Sequence, residues 1–263
     1  MKPYRWPLRH MLPWLADIVL GRKRSFSADS WLVVFRYNQP PVIEGTEHIP
    51  RSGPVIIVGN HLDRPEVMMA FAGMAASVAV ARARPERPEV HWTITAERRQ
   101  TVGPVRIPRG VVRWLFERIA RMYGFALMEP GAPFVMQRAA AMRELEEAIA
   151  RGDAVGLMPE AGGDGVLRRP RPGSGLFLAR LSAGRVPILP LALFIEGDRL
   201  VVRFGPTFTL APLEEPADER ARDRLLSERV MTAIGRLLPP EWRGVYREAI
   251  ERPEGTDDDV TSG

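Results

Sequence analysis

The clearest indication of the fold lies at residues 54–66, which read Pro-Val-Ile-Ile-Val-Gly-Asn-His-Leu-Asp-Arg-Pro-Glu. This stretch opens with an apolar, mostly β-branched run without polar alternation, which predicts a short strand buried on both faces. Gly59 and Asn60 end that strand, and the apolar residues 67–81 predict a helix after it. Because open α/β sheets place ligand sites at the carboxyl ends of their strands, His61 is the first candidate for chemistry.

Strands and helices alternate along most of the chain. An entry strand and turn are predicted at residues 42–49, further strands at 90–96, 125–128, 154–158, 186–195 and 200–204, and helices at 111–123, 132–151, 174–183 and 214–238. This alternation predicts an α/β fold in which helices flank a mostly parallel central sheet. The predicted organisation is an N-terminal amphipathic segment (1–40), one main domain (41–250) and a disordered acidic tail (251–263).

The N-terminal segment carries apolar residues at helical spacing, at positions 8, 11, 12, 15, 18 and 19, with tryptophans and basic residues among them. Two interpretations are open: an amphipathic segment lying in a membrane interface, and a helix packed on the body of the domain. Pro3, Pro7 and Pro13 limit the length of the helix in either case.

Composition excludes several classes of site. The 263 residues include no cysteine, so disulfides, thiolate metal sites and cysteine nucleophiles are excluded. The chain has 37 Lys and Arg against 32 Asp and Glu, and nearly all of the basic residues are arginines. Arginine suits bidentate contacts to phosphate or carboxylate, although genome base composition explains the excess equally well. Nucleic acid is not an expected partner, because the arginines are dispersed and not interleaved with aromatic residues.

No secretory signal is visible, and residues 67–81, the longest uncharged apolar stretch, are shorter than the ~20 residues that span a bilayer. The expected location is therefore cytoplasmic, with peripheral contact to the inner face of the cell membrane.

His61 has two interpretations, as a structural histidine or as a catalytic one. Glu66 follows about one helical turn later, a spacing that lets its carboxylate reach the imidazole. A histidine whose Nδ1–H is held by a carboxylate presents Nε2 as a proton acceptor. Asp63 is the rival carboxylate.

A second candidate site begins at Pro159 and Glu160, where a predicted strand ends. The glycine-rich residues 161–165 follow, and Arg168 and Arg169 come next. Backbone N–H groups in such loops bind phosphate or an oxyanion, so the loop is a candidate cradle for an anionic group. The alternative is a simple surface turn.

Four stretches carry a resemblance to a known family. They are Ile-Glu-Gly-Thr-Glu-His-Ile-Pro (43–50) with Gly-Pro-Val-Ile-Ile-Val (53–58), Asn60-His61 with Glu66, Pro159-Glu160, and Val-Pro-Ile-Leu-Pro (186–190). Their order and spacing resemble the glycerolipid (lysophosphatidate-type) acyltransferase family across about residues 42–205.

The resemblance implies transfer of a fatty acyl group from acyl-CoA or acyl carrier protein to a hydroxyl of a lysophospholipid or related lipid, with no other cofactor and no metal. His61 would be the general base and Glu66 would orient it. The substrate-binding residues implied are Asn60, Glu160, Gly162, Gly163, Arg168 and Arg169. Oxyanion donors are expected from backbone amides near Gly162 or over residues 186–188.

The chain departs from the family pattern at three places. Glu66 stands where the family has aspartate. Residues 161–164 read Ala-Gly-Gly-Asp where the third box usually continues Gly-Thr-Arg, and the nearest match to the second motif ends in Glu129 where the family has arginine. Either Arg168 or Arg169 replaces the phosphate-binding arginines, or the acceptor is not a glycerol phosphate.

Two other classes of function are possible. One is a metal-dependent phosphoesterase that uses His61, Asp63 and Glu160. The other is a non-catalytic lipid-binding relative of the family, which the changes at Glu66 and residues 161–165 would favour.

Overall fold

The apolar runs of the sequence form a seven-stranded sheet flanked by helices in a computed structural model of the chain. The structure describes residues 1–95, 101–102, 105–106, 108–128, 134–160, 162–210 and 218–251. The strands are β1 (Val42–Glu44), β2 (Val55–Gly59), β3 (Val90–Thr95), β4 (Thr101–Val102), β5 (Val105–Arg106), β6 (Ala126–Met128), β7 (Ala154–Leu157), β8 (Ile188–Glu196) and β9 (Arg199–Phe204). The α-helices are α1 (Leu8–Leu20), α2 (Phe26–Ser30), α3 (Met69–Ala83), α4 (Arg109–Tyr123), α5 (Phe134–Ala150), α6 (Ser174–Ser182), α7 (Glu219–Leu237) and α8 (Arg247–Glu251).

Strand β2 lies at the centre of the main sheet, whose order is β1-β9-β8-β2-β7-β3-β6. Among the described strands of this sheet, the β8–β9 pair is antiparallel and every other pair is parallel. Strands β4 and β5 form a separate two-stranded ribbon. The predicted α/β class with a mostly parallel central sheet flanked by helices is confirmed.

Burial explains the position of β2. All its residues are buried between neighbours on both sides, as its run of apolar residues predicts. On one side helix α3 is buried over residues 71–80, where alanines let the helix pack closely. Trp92 of β3 donates from its indole N–H to Ser77 of α3 over 2.8 Å, and Gly156 of β7 leaves room for the Trp92 ring. The core therefore surrounds the strand that leads to His61.

Helix α3 begins two residues later than predicted, at Met69. Arg64 and Val67 exchange backbone hydrogen bonds of 3.0 and 3.1 Å in a tight turn, and this turn takes the first residues out of the helix. The Asp63 carboxylate accepts a long hydrogen bond, 3.4 Å, from the N–H of Met69. Helix α7 begins at Glu219, with Asp218 as its N-cap, and the predicted start at 214 lies outside the described residues.

One face of the N-terminal helix α1 packs on the body of the domain. Ile18 is buried, and Trp14 donates to the hydroxyl of Tyr123 on α4 over 2.9 Å. That hydroxyl donates in turn to Asp29, which is paired with Arg24 at 2.6 Å. The helix thus packs on the domain through one face, with Pro7 at its N-cap and Pro13 inside it, and contact of the other face with a membrane stays a prediction. The apolar run that follows is a π-helix, Trp31–Arg36.

The predicted domain boundaries stay predictions, and residues 252–263 of the predicted tail lie outside the described residues, as does Glu129. In the described part of the chain, no helix has both the length and the apolar character that crossing a bilayer requires.

Candidate functional site

The site lies at the carboxyl ends of two adjacent parallel strands. Strand β2 leads into Asn60 and His61, and β7, paired in parallel with it, leads through Met158 and Pro159 to Glu160. Parallel neighbours end at the same edge of a sheet, so the fold brings the two predicted constellations together.

A carboxylate joins the two strand ends. Glu160 is 8% exposed, and its two oxygens accept backbone N–H groups from His61, at 2.7 Å, and from Arg168, at 2.5 Å. Burial raises the pKa of Glu160 to about 7, although these two hydrogen bonds and the nearby Arg168 act to lower it. Because both oxygens are engaged with backbone donors, Glu160 holds the His61 turn against the following loop.

The glycine-rich loop pairs with the His61 segment as a short antiparallel ribbon, which is called the histidine ribbon below. Leu62 and Asp164 form the bridge, with Asp63 N–H donating to the Gly163 carbonyl and Gly165 N–H to the His61 carbonyl, both at 3.0 Å. The loop is therefore part of the site and not a separate surface turn.

The ribbon also favours one tautomer of the His61 imidazole. His61 is partly exposed, and its Nδ1 lies 3.3 Å from the carbonyl oxygen of Gly163. A carbonyl can only accept a hydrogen bond, so this contact favours the proton on Nδ1. Nε2 is then the unprotonated nitrogen, the atom that a general base requires.

Asn60 is the most deeply buried polar residue of the site, with 0% of its surface exposed. Its amide nitrogen donates to the carbonyls of Gly165, at 2.9 Å, and Leu193, at 2.8 Å, and its oxygen accepts the N–H of Leu193 at 2.8 Å. Asn60 thus joins β2, the histidine ribbon and β8. No atom of it is exposed to a substrate, which does not fit the substrate contact predicted from the sequence.

Glu66 is partly exposed, and its backbone carbonyl accepts the N–H of Tyr4 at 2.9 Å. Among the described residues its carboxylate forms no hydrogen bond to His61. The contact observed at Nδ1 goes instead to the Gly163 carbonyl. The orienting role predicted for Glu66 stays a prediction.

The arginines of the loop point outwards. Arg168 and Arg169 are both exposed, and the Arg168 guanidinium pairs with the Asp164 carboxylate at 3.1 Å. Gly162 is partly exposed, with open space where a side chain would lie. The predicted substrate contacts of these residues stay predictions.

The prediction that the backbone amides of residues 186–188 donate to the oxyanion is wrong. The N–H of Val186 donates to Ser182 and that of Ile188 to Phe208, at 2.9 and 2.8 Å, and Pro187 has no N–H. The amides of the loop at residues 162–164 are the remaining candidates from the sequence.

Two residues at the site were missed by the sequence analysis. Arg64 donates from Nε to the carbonyl of Asp164 at 2.7 Å, and its guanidinium lies 4.4 Å from the centre of the Trp242 ring. Arg64 lies inside the His61 to Glu66 box, so its position was a usable signal. Trp242 follows a Leu-Pro-Pro-Glu stretch far along the chain, and no local pattern links it to the site.

The phosphoesterase alternative finds little support in this geometry. Glu160 already accepts two backbone hydrogen bonds. Within the described ranges, no three His, Asp or Glu side chains are grouped closely enough to hold a metal ion.

Comparison with solved structures finds a likeness to the crystal structure of the 1-acyl-sn-glycerophosphate (LPA) acyltransferase, PlsC, from Thermotoga maritima. The identity is 19% and the TM-score 0.43, over 78% of this chain and 73% of that one. No family model matches the chain, and a search of curated proteins finds no match.

Proposed function

We propose that the protein is an acyltransferase that moves a fatty acyl group from a thioester to a hydroxyl of a lysophospholipid or related lipid. The observation that carries this proposal is the contact of His61 Nδ1 with the Gly163 carbonyl, which leaves Nε2 as the base on a partly exposed ring. The motif order around His61 and Glu160 supports the same chemistry.

In the proposed reaction, the acceptor hydroxyl attacks the thioester carbonyl while its proton passes to Nε2 of His61. The tetrahedral intermediate then collapses, the carbon–sulfur bond breaks, and the thiolate takes the proton from the imidazolium. No protein nucleophile is needed, which suits a chain without cysteine. General-base assistance of this kind is worth about 10²–10⁴ in rate.

The other residues receive roles from their contacts. Glu160 and Asn60 position the His61 turn and the loop through backbone hydrogen bonds. The amides of residues 162–164 are proposed as oxyanion donors. Glu66 is proposed to orient or stabilise the charged imidazole once substrate is bound. Arg168 and Arg169 are proposed to meet the phosphate groups of the acceptor or donor.

The donor is proposed to be acyl-CoA or acyl carrier protein, and the place of reaction the inner face of the cell membrane. Helix α1 presents an apolar stripe to solvent, formed by Leu8, Leu12, Leu15 and Val19 with exposures of 42–75%. Positions spaced by four, three and four residues share one helix face. Such a face flanked by arginines is typical of helices that lie in a membrane interface.

The test is transfer of labelled acyl groups from acyl-CoA, and separately from acyl carrier protein, to a panel of lysolipids, glycolipids and amino alcohols. His61→Ala should lower the rate of transfer by a factor of about 10² or more, and Glu66→Gln should also lower it. His48→Ala is the matched control, because His48 lies on a surface 3₁₀ turn (Thr46–His48). Transfer that survives in His61→Ala would exclude the proposed base.

A lipid-binding protein without turnover is the second candidate. It is favoured by Gly163, which stands where the family has a phosphate-binding arginine, and by the Glu66 carboxylate, which has no hydrogen bond to His61 among the described residues. Lipid association without transfer from either donor would support it.

A further inference from the structure

The histidine ribbon is covered by a segment from the far end of the chain. Two 3₁₀ turns, Pro240–Trp242 and Gly244–Tyr246, lie against residues 165–167, and they are called the C-terminal turns below. The N–H of Leu167 donates to the Trp242 carbonyl at 2.9 Å, and the N–H of Val245 donates to the Leu167 carbonyl at 3.3 Å. The chain immediately after the ribbon is thus held by two backbone hydrogen bonds.

The Trp242 side chain reaches the ribbon itself. It is 6% exposed, and its ring lies so close to Gly165 that a Cβ there would come within 2.5 Å of the indole. Gly165 also has φ +99°, a conformation that disfavours other residues. The same hypothetical Cβ would lie 2.7 Å from Leu62 on the facing strand of the ribbon. Trp242 therefore packs at the level of the Leu62–Asp164 bridge.

Arg64 connects Trp242 to both strands of the ribbon. Its backbone continues the strand of His61, its Nε–H donates to the Asp164 carbonyl over 2.7 Å, and its guanidinium stacks on the indole at 4.4 Å. A guanidinium over an aromatic face is held by the ring quadrupole in addition to packing. Trp242 and Arg64 thus pack together against the side of the ribbon that carries Leu62.

We propose that Trp242 and Arg64 are positioning residues for His61. The register of the ribbon decides where the Gly163 carbonyl lies, and that carbonyl holds Nδ1 of His61. Trp242 packs against Gly165, whose N–H donates to the His61 carbonyl, so a change at Trp242 is transmitted through the ribbon to the imidazole. This inference rests on the proposed function only for its effect on turnover.

The positioning itself is tested without turnover, by ¹⁵N NMR of the imidazoles. The chain has four histidines, so the ring signals of each can be assigned by substitution. In the parent, His61 should show the pattern of a neutral ring with its proton on Nδ1. In Trp242→Ala and in Arg64→Gln this pattern should change, while the signals of His48 and His91 stay in place.

The matched control is Trp92→Ala. Trp92 has the same side chain and a similar exposure of 5%, but it packs on Ser77 and Gly156. It should change thermal stability without changing the His61 signals. Arg64→Gln serves if Trp242→Ala does not fold, since Arg64 is partly exposed and its loss removes less packing.

Where transfer is active, Trp242→Ala should lower kcat by roughly tenfold or more and leave KM within about twofold, because misplacing a catalytic group acts on the chemical step. Trp242→Phe should recover most of the loss. Unchanged His61 signals in folded Trp242→Ala and Arg64→Gln would overturn the positioning role. Changed signals in a protein without any transfer would uphold it and refute the proposed function instead.

Discussion

The backbone N–H of His61 donates to the carboxylate of Glu160 over 2.7 Å, although 99 residues separate them in the chain. The second oxygen of Glu160 accepts the N–H of Arg168. One buried carboxylate thus spans the turn that carries the proposed base and the end of the loop that faces it.

Glu160 should make stability depend on pH. Burial raises its pKa to about 7 from an ordinary 4.5, so the folded protein binds this proton more tightly than the unfolded chain. The free energy of unfolding should therefore fall as pH rises from 4.5 to about 7, with a contribution of at most about 1.4 kcal/mol per pH unit from this group. Urea unfolding of the parent and of Glu160→Gln across this range measures the difference. Equal slopes in the two proteins would contradict the assignment.

Glu160→Gln should also reduce turnover. A carboxamide can accept one of the two backbone N–H groups, but its NH₂ then faces the other donor, so either the His61 turn or the Arg168 end of the loop loses its partner. We expect a loss in kcat larger than the change in KM, measured in the transfer assay at pH 8, where most of the parent carboxyl is ionised. A parent-like kcat would show that the carboxylate does not hold the turn in its working position.

Asn60→Ala should destabilise the protein by about 3 kcal/mol. The substitution leaves buried backbone groups of Gly165 and Leu193 without partners, and each unsatisfied group costs about 1–3 kcal/mol. Asn38→Ala is the matched control, since Asn38 also bonds to backbone groups but is partly exposed near the N-terminus. Chemical denaturation measures both. A smaller cost at Asn60 than at Asn38 would show that the buried clamp contributes little.

Leu12→Glu should weaken binding to anionic lipid vesicles by roughly tenfold or more, because burying a leucine is worth about 1.5–3 kcal/mol. Leu12 is 75% exposed on α1, so the folded protein should keep its thermal stability. Leu225→Glu is the control, with a leucine 46% exposed on α7. Vesicle sedimentation measures the partition. Equal losses in the two variants would remove the α1 stripe as the contact surface.

Arg84→Met should strongly destabilise the end of the sheet opposite the site. The side chain is 1% exposed, and it donates to the carbonyls of Pro50, Gly53 and Gly152 at 2.6, 2.7 and 3.0 Å. We expect a loss of about 3 kcal/mol or more. Arg84→Lys should recover only part of it, since one ammonium cannot reproduce the planar fork. Thermal unfolding of both variants decides this, and a neutral Arg84→Met would refute it.

Local pattern was sufficient for the elements around the site. The apolar run at 54–58 predicted β2, and the pattern of residues 174–183 predicted α6. A strand buried on both faces is apolar throughout, and a helix buried along one stripe is apolar at regular intervals, so both patterns are visible in consecutive residues. The ends of elements were less predictable. The Arg64–Val67 turn delays α3 through backbone hydrogen bonds that leave no mark in the apolar pattern.

Consecutive residues were enough to predict the α/β class, the central strand and the motifs that follow two of the strands, since each depends on near neighbours in the chain. Three contacts became known only from the folded chain: Asn60 bonds to Leu193, 133 residues away, Gly163 rather than Glu66 contacts Nδ1 of His61, and Trp242 covers the ribbon. Hydrogen-bond partners and packing contacts depend on which groups lie close together after folding. Proximity between distant segments is set by the sheet order, which no local pattern contains.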